Sequence, residues 1–252
     1  MKINKNVANF LKTFLIILLW IFVWQIISTA VSKEILVPSP IKTLTTLLTL
    51  VKKASFWSAV GTSILRILLG FLLSVVFGII GAVLSYRFGA FRALTSPILT
   101  LVRTVPVASF IILALVWIKT NHLPVFISFF TVLPIIWDNV LSGIENTDRY
   151  ALEAAEVDGA GKWTQIFKII IPQIIPSFFS ALVTGLGFAW KSGIAAEVIC
   201  HPKNSIGGML IDAKNYLESP EVFALTATVI ILSLLIEKLL RYIYSVWAKK
   251  HA

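Results

Sequence analysis

Uncharged apolar runs long enough to cross a lipid bilayer recur along this chain, and that recurrence constrains the fold more than any other feature. A bilayer core of about 30 Å takes roughly 20 apolar residues in a helix. Thr13 to Ser32 has that length without one charge, and Lys12 and Lys33 stand at its ends. Similar stretches follow at Ile67 to Tyr86, near Ile98 to Ile118 (interrupted by Arg103 and Pro106), and from about His122 to Trp137. Two more run from Ile169 through Trp190, with a continuation toward Val198, and from roughly Val222 to Leu240. Strands of a membrane β-barrel alternate apolar and polar residues, whereas these runs are continuously apolar. The expected fold is all-α: a polytopic membrane bundle of about six transmembrane helices, forming one domain over residues 1–252.

Composition supports the same reading. Hydrophobic residues make up 58% of the chain and charged residues 13%, with a mean hydropathy of +0.90. A soluble domain is about 45–50% apolar and about 25% charged, and disorder needs low hydrophobicity with high charge. The net charge of +10 would point to nucleic acid on a soluble protein. Here the basic residues flank apolar runs, so the expected contact is membrane lipid, with no nucleic-acid partner. Lys2, Lys5 and Lys12 before the first run, and Ala30-Val31-Ser32 at its end, imitate a signal peptide. A signal core spans only about 7–15 residues, so the first helix is expected to be retained. With both termini cytoplasmic, Lys and Arg on the inner segments, including Lys249 and Lys250, outnumber those outside, although Lys52 and Lys53 oppose this locally. The expected location is therefore a plasma or inner membrane.

The longest polar stretch, Asp138 to Lys168, joins the fourth and fifth runs on the inner side. Asp148 is placed to cap a helix rich in Ala, Glu and Leu. Gly159 and Gly161 then stop it, and a second helix restarts at Lys162 and feeds the fifth span, whose first turns hold Pro172 and Pro176. By composition alone this is either a solvated connector or a docking element for a soluble partner.

The spacing in this loop resembles a known family. Glu153-Ala154-Ala155, three residues, Gly159, nine residues, then Ile169-Ile170-Ile171-Pro172 is similar to the EAA motif of binding-protein-dependent ABC importer permeases, with Ile171 where leucine is usual. Leu36-Val37-Pro38-Ser39-Pro40, Ser63 to Phe71, Arg103-Thr104-Val105-Pro106 and Ala195-Ala196-Glu197 resemble, in order, segments of the nitrate/sulfonate/taurine-type permeases. The resemblance implies a type I importer fold and a homodimeric pairing of permease copies. It also implies a solute-binding protein outside and cytoplasmic ATPase subunits below, which would use ATP and Mg while this chain binds no cofactor. Glu153, Ala154, Ala155, Asp158, Gly159 and Ala160, with Ile169 and Pro172 closing the motif, would then form the coupling element, and the chain itself would not be an enzyme.

Other signals carry less. Gly185 to Ser192 nearly spells a phosphate-binding loop, but Trp190 replaces the glycine that lets backbone N–H groups wrap phosphates. Cys200 and His201 lack further ligands spaced for a metal. Charges inside spans usually face water or the bundle interior, which makes Arg103, Lys191 and Glu197 candidate path residues, with Pro106 and Trp190 beside the first two. Each also has a plainer reading. Arg103 can snorkel to the interface, as can Arg66 at the start of the second helix, and Lys191 can anchor there. Glu197 can pair across a dimer or face the external mouth. Two cations near the path would favour a small anionic solute. Trp20, Trp24 and Trp247 read as interfacial anchors, or, for the first two, as packing residues. The rival class is an ion-gradient-driven secondary transporter or channel, which predicts acidic relays or broken helices in two repeated halves.

Overall fold

A computed structural model describes residues 5–251, with side chains described for 11–246. Lys2, and the side chains of Lys5, Trp247, Lys249 and Lys250, lie outside that range. The described residues form helices and no strands: α1 Lys5–Val31, α2 Pro40–Leu50, α3 Ala54–Arg87, α4 Gly89–Thr104, α5 Val107–Ala114 and α6 Leu123–Glu145. There follow α7 Arg149–Val157, α8 Lys162–Gln165, a π-helical turn Ile166–Ile170, α9 Ile171–Cys200, α10 Ile206–Asn215 and α11 Ser219–His251. Five helices are long and apolar enough to cross a membrane, and the pair α4 and α5 makes a sixth span if taken together.

The centre of the bundle is α3, α6 and α9. Small residues let the first two approach closely, as the Gly78/Ala82 and Gly81/Ser85 pairs suggest. Gly78 faces Ile136, and a Cβ on Gly81 would lie 2.2 Å from the Trp137 ring. Trp137 in turn donates its indole N–H to Ser85 Oγ at 3.2 Å. Positions rising along α3 meet positions rising along α6, so these two helices run parallel. Gly193 meets Ser128, Gly185 meets Val132, and Gly143 meets Ile174, so α9 runs antiparallel to α6. Hydroxyls cross both seams: Ser74 Oγ donates to Phe129 O at 2.7 Å and Ser128 Oγ to Ala189 O at 3.1 Å. In lipid, such bonds and close van der Waals contact hold helices together, because lipid tails give no hydrophobic drive for association.

This register fixes two ends. One gathers Arg87, Glu145, α7 and the start of α9; the other gathers the starts of α3 and α6, Cys200 and α10. By contrast, α1 is exposed along most of its length, with Trp20 open to its surroundings. It is tied near its C-terminal end, where Trp24 Nε1 donates to Pro38 O at 3.1 Å, Ser28 Oγ to Val37 O at 3.0 Å, and the Trp24 ring stacks on Phe223. Trp24 is thus a packing residue.

Three features depart from the sequence reading. The third span is not one rod: α4 and α5 meet at 107°. Pro106 has no N–H to continue the helix, and Val105 before it takes the extended backbone that proline imposes (φ −70°, ψ 127°). Asp138 does not open a loop, since α6 continues to Glu145 and the polar connector begins at 146. Finally, α2 and α10 are short helices that the apolar-run criterion passes over. Each is started by a serine whose Oγ accepts a backbone N–H, Ser39 from Lys42 and Ser205 from Gly208.

Candidate functional site

At the first end, α7 stands clear of the bundle with no buried residue. Local chemistry defines both its boundaries. Asp148 accepts the Tyr150 N–H at 2.9 Å, and its own N–H donates to Gln173 Oε1 on α9 at 2.9 Å. At the other boundary the Ala160 N–H reaches Ala155 O at 2.8 Å and the Gly159 N–H reaches Glu156 O at 3.0 Å, the paired bonds of a Schellman stop. Gly159 takes φ +75°. A Cβ there would meet nothing within 4 Å, so glycine is required by backbone conformation and not by space.

Glu153, Ala154, Asp158 and Gly159 are exposed, while Ala155 and Ala160 are half-buried. Ile169 lies in the π turn and Pro172 in the first turn of α9, on the column that joins the exposed element to the bundle. The π turn precedes Pro172, where the extra residue accommodates the missing N–H. Large apolar side chains also lie open on this element: Tyr150 is 83% exposed, Val157 88% and Trp163 74%. On α7 itself Tyr150 and Val157 lie about two helical turns apart, with Glu153 and Ala154 between them.

The other candidate residues do not form a single group. Arg103, in the last turn of α4, pairs with Asp138 on α6. A second pair, Arg92 with Glu145, holds the same seam about two turns of α6 further on. Pro106 sits at the bend beside Arg103. Lys191 is exposed on α9. Trp190 beside it is buried, and its indole donates to Val229 O of α11 at 3.1 Å, a packing role.

Glu197 faces neither a partner nor an outer mouth. It is 0% exposed, and its Oε2 accepts from Ser63 Oγ at 2.7 Å and from the Gly207 N–H at 3.1 Å. Ser63 Oγ also accepts the Ile206 N–H at 2.9 Å. Arg66 lies 3.9 Å from Glu197 Oε1 and donates to Lys203 O at 3.1 Å, so it is turned inward and not snorkelling. Together Ser63, Arg66, Glu197 and the first turn of α10 clasp three helices at the second end. Sequence reasoning found Glu197 and Arg66 separately and met Ser63 only as the start of the Ser63–Phe71 resemblance, while Gly207 gave no signal; nothing local links these residues, because Ser63 and Glu197 are 134 positions apart. Cys200 closes α9 with its Sγ toward Thr120 O at 3.5 Å. His201 takes a left-handed backbone and lies 3.1 Å from Asp212.

The family of binding-protein-dependent transport system inner membrane components matches residues 74–250. The taurine transport system permease protein TauC of Escherichia coli (strain K12) is 25% identical over 224 residues, covering 86% of this chain and 81% of that protein. The putative aliphatic sulfonates transport permease protein SsuC of Bacillus subtilis (strain 168) is 27% identical over 207 residues, covering 81% of this chain and 74% of that protein. Among solved structures, a bacterial alginate ABC transporter in complex with an alginate pentasaccharide-bound periplasmic protein aligns over 94% of both chains, with a TM-score of 0.60 and 16% identity. An amino acid ABC transporter aligns over 78% of this chain and 93% of that one, with a TM-score of 0.61 and 15% identity. These two likenesses concern the fold. The chain belongs to the binding-protein-dependent transport system inner membrane components, the multi-pass ABC permeases, and resembles within them those named for taurine and sulfonates.

Proposed function

We propose that this chain forms the translocation path of an ATP-driven importer, and that α7 with the Gly159 turn is where cytoplasmic ATPase subunits dock. The observation that carries the reading is the geometry of α7: a helix capped at both ends, with no buried residue and with large apolar side chains exposed beyond the spans. Small residues at Ala154 and Ala155 permit close approach, and Glu153 and Asp158 offer charge to a basic groove. This end is then cytoplasmic, with both chain termini on that side. ATP and Mg are used by the partner, and a second copy of this chain completes the path. A solute-binding protein delivers a small solute to the α10 end. Movement of the ATPases would tilt the bundle as a rigid body and alternate access. The names of the relatives, taurine and sulfonates among them, support an anionic solute.

Copurification tests the docking element. A tagged chain extracted from native membranes in mild detergent should bring down a soluble ATPase. Gly159→Asp should insert normally and lose it, because φ +75° disfavours a residue with a side chain and the stop of α7 is reset. An intact parent that carries no ATPase, and whose transport persists without ATP, would make ion-coupled transport the better reading.

A further inference from the structure

Where α4 and α5 bend, a cavity of about 350 Å³ opens between α4, α5, α6 and α9. Phe110, Phe130 and Phe188 line it, with Arg103, Thr131 and Thr184. Its aromatic wall is built and not incidental. Phe110 and Phe130 meet edge to face at 5.8 Å, and Phe126 lies against both, at 5.8 and 4.5 Å. Phe188 presents its ring from the other side and is 48% exposed.

The face of α9 that borders this cavity is partly polar. Ser180, Thr184 and Lys191 are exposed there at helical spacing, and hydroxyls and an ammonium group are costly against hydrocarbon. The ammonium group there favours a face turned to the path over one turned to hydrocarbon. Its charge is also limited. Arg103 is neutralised by Asp138, whereas Lys191 makes no ion pair among the described residues. Lys191 lies seven residues beyond Thr184, about 10 Å along the helix. The wall thus offers aromatic faces and edges at one level and a single free cation one to two turns away.

We propose that the solute passed along this path is an aromatic monoanion, a carboxylate or sulfonate carried on a ring, and not a small inorganic anion. The ring lies against Phe110, Phe130 and Phe188, where offset or edge-to-face contacts stabilise it. Its acidic group faces Lys191. A compact, fully hydrated anion gains nothing from that wall, since it would surrender water to phenyl groups. This inference rests on the path-subunit reading and names its solute class.

The test uses the full chain with its accompanying subunits in lipid nanodiscs, and saturation-transfer NMR with benzenesulfonate and methanesulfonate as probes, signals from empty nanodiscs being subtracted. Benzenesulfonate should receive at least about fivefold more transfer than methanesulfonate, because only its ring meets the aromatic wall. Phe188→Ala should abolish that preference while leaving the methanesulfonate signal unchanged. Lys191→Gln should weaken both probes. Equal transfer to the two probes in the parent, or a preference untouched by Phe188→Ala, overturns the proposal. The ATPase band in the same preparation separates the two claims: a retained band without ring preference leaves the importer reading standing, and an absent band with transport that persists without ATP overturns the importer reading itself.

Discussion

Glu197→Ala is expected to lower the melting temperature of the detergent-solubilised protein by roughly 6–20 °C. Breaking a buried charged pair by removing one partner costs about 3–5 kcal/mol, and each kcal/mol moves a chain of this size by about 2–4 °C. The loss is large here because one carboxylate serves three elements. Its Oε2 holds Ser63 of α3 and the Gly207 N–H of α10, and Arg66 stands 3.9 Å from its Oε1. Alanine leaves the Gly207 N–H without an acceptor and the Arg66 guanidinium without its nearest anion. Glu197→Gln keeps an amide oxygen for Ser63 and Gly207 but turns an N–H₂ group toward Arg66, so its melting point should fall between parent and alanine variant. Size-exclusion chromatography after a temperature series reads both variants. A Glu197→Ala protein that melts within about 2 °C of the parent would remove the clasp from the account.

Where the chemistry is local, the sequence was readable. Asp148 accepts the N–H two residues on, and the helix stops where the Gly159 N–H bonds the carbonyl three residues back and the Ala160 N–H the one five residues back. Short-range rules suffice for both, and they outline the candidate docking element. Apolar run length found the spans, but it marks only where lipid or packing demands apolar residues. It ended the fourth run at Trp137, although α6 goes on for two more turns because Asp138 and Glu145 find Arg103 and Arg92 on α4. Pro106 announced a break, but the 107° bend is set by how α5 packs on α6 and α9. Glu197 was the furthest from reach. Its partner Ser63 is 134 residues away, and no periodicity carries that distance. Trp190 posed the same problem, since the backbone carbonyl that fixes it belongs to α11.

Gly70→Ala and Gly61→Ala, two identical changes on α3, are expected to move stability in opposite directions. A Cβ at residue 70 would lie 2.4 Å from the backbone oxygen of Val125 and 2.8 Å from Ser128 Cβ. Neither contact is the tip of a flexible side chain, so α3 and α6 must separate. Forced expansion of a packed interior costs about 1–3 kcal/mol. The change also stretches the Ser74 Oγ bond to Phe129 O, now 2.7 Å and one turn further along the same seam. At residue 61 a Cβ meets nothing within 4 Å, and alanine in place of glycine favours the helix by up to about 1 kcal/mol. Thermal series on the two variants should therefore diverge by about 2–16 °C, with Gly70→Ala below the parent and Gly61→Ala at or above it. Equal melting points would mean that α3 and α6 shift apart without cost. On the docking proposal, a displacement received at the Asp148-capped helix, which follows α6 in the chain, would reach α3 in part through this close-packed seam.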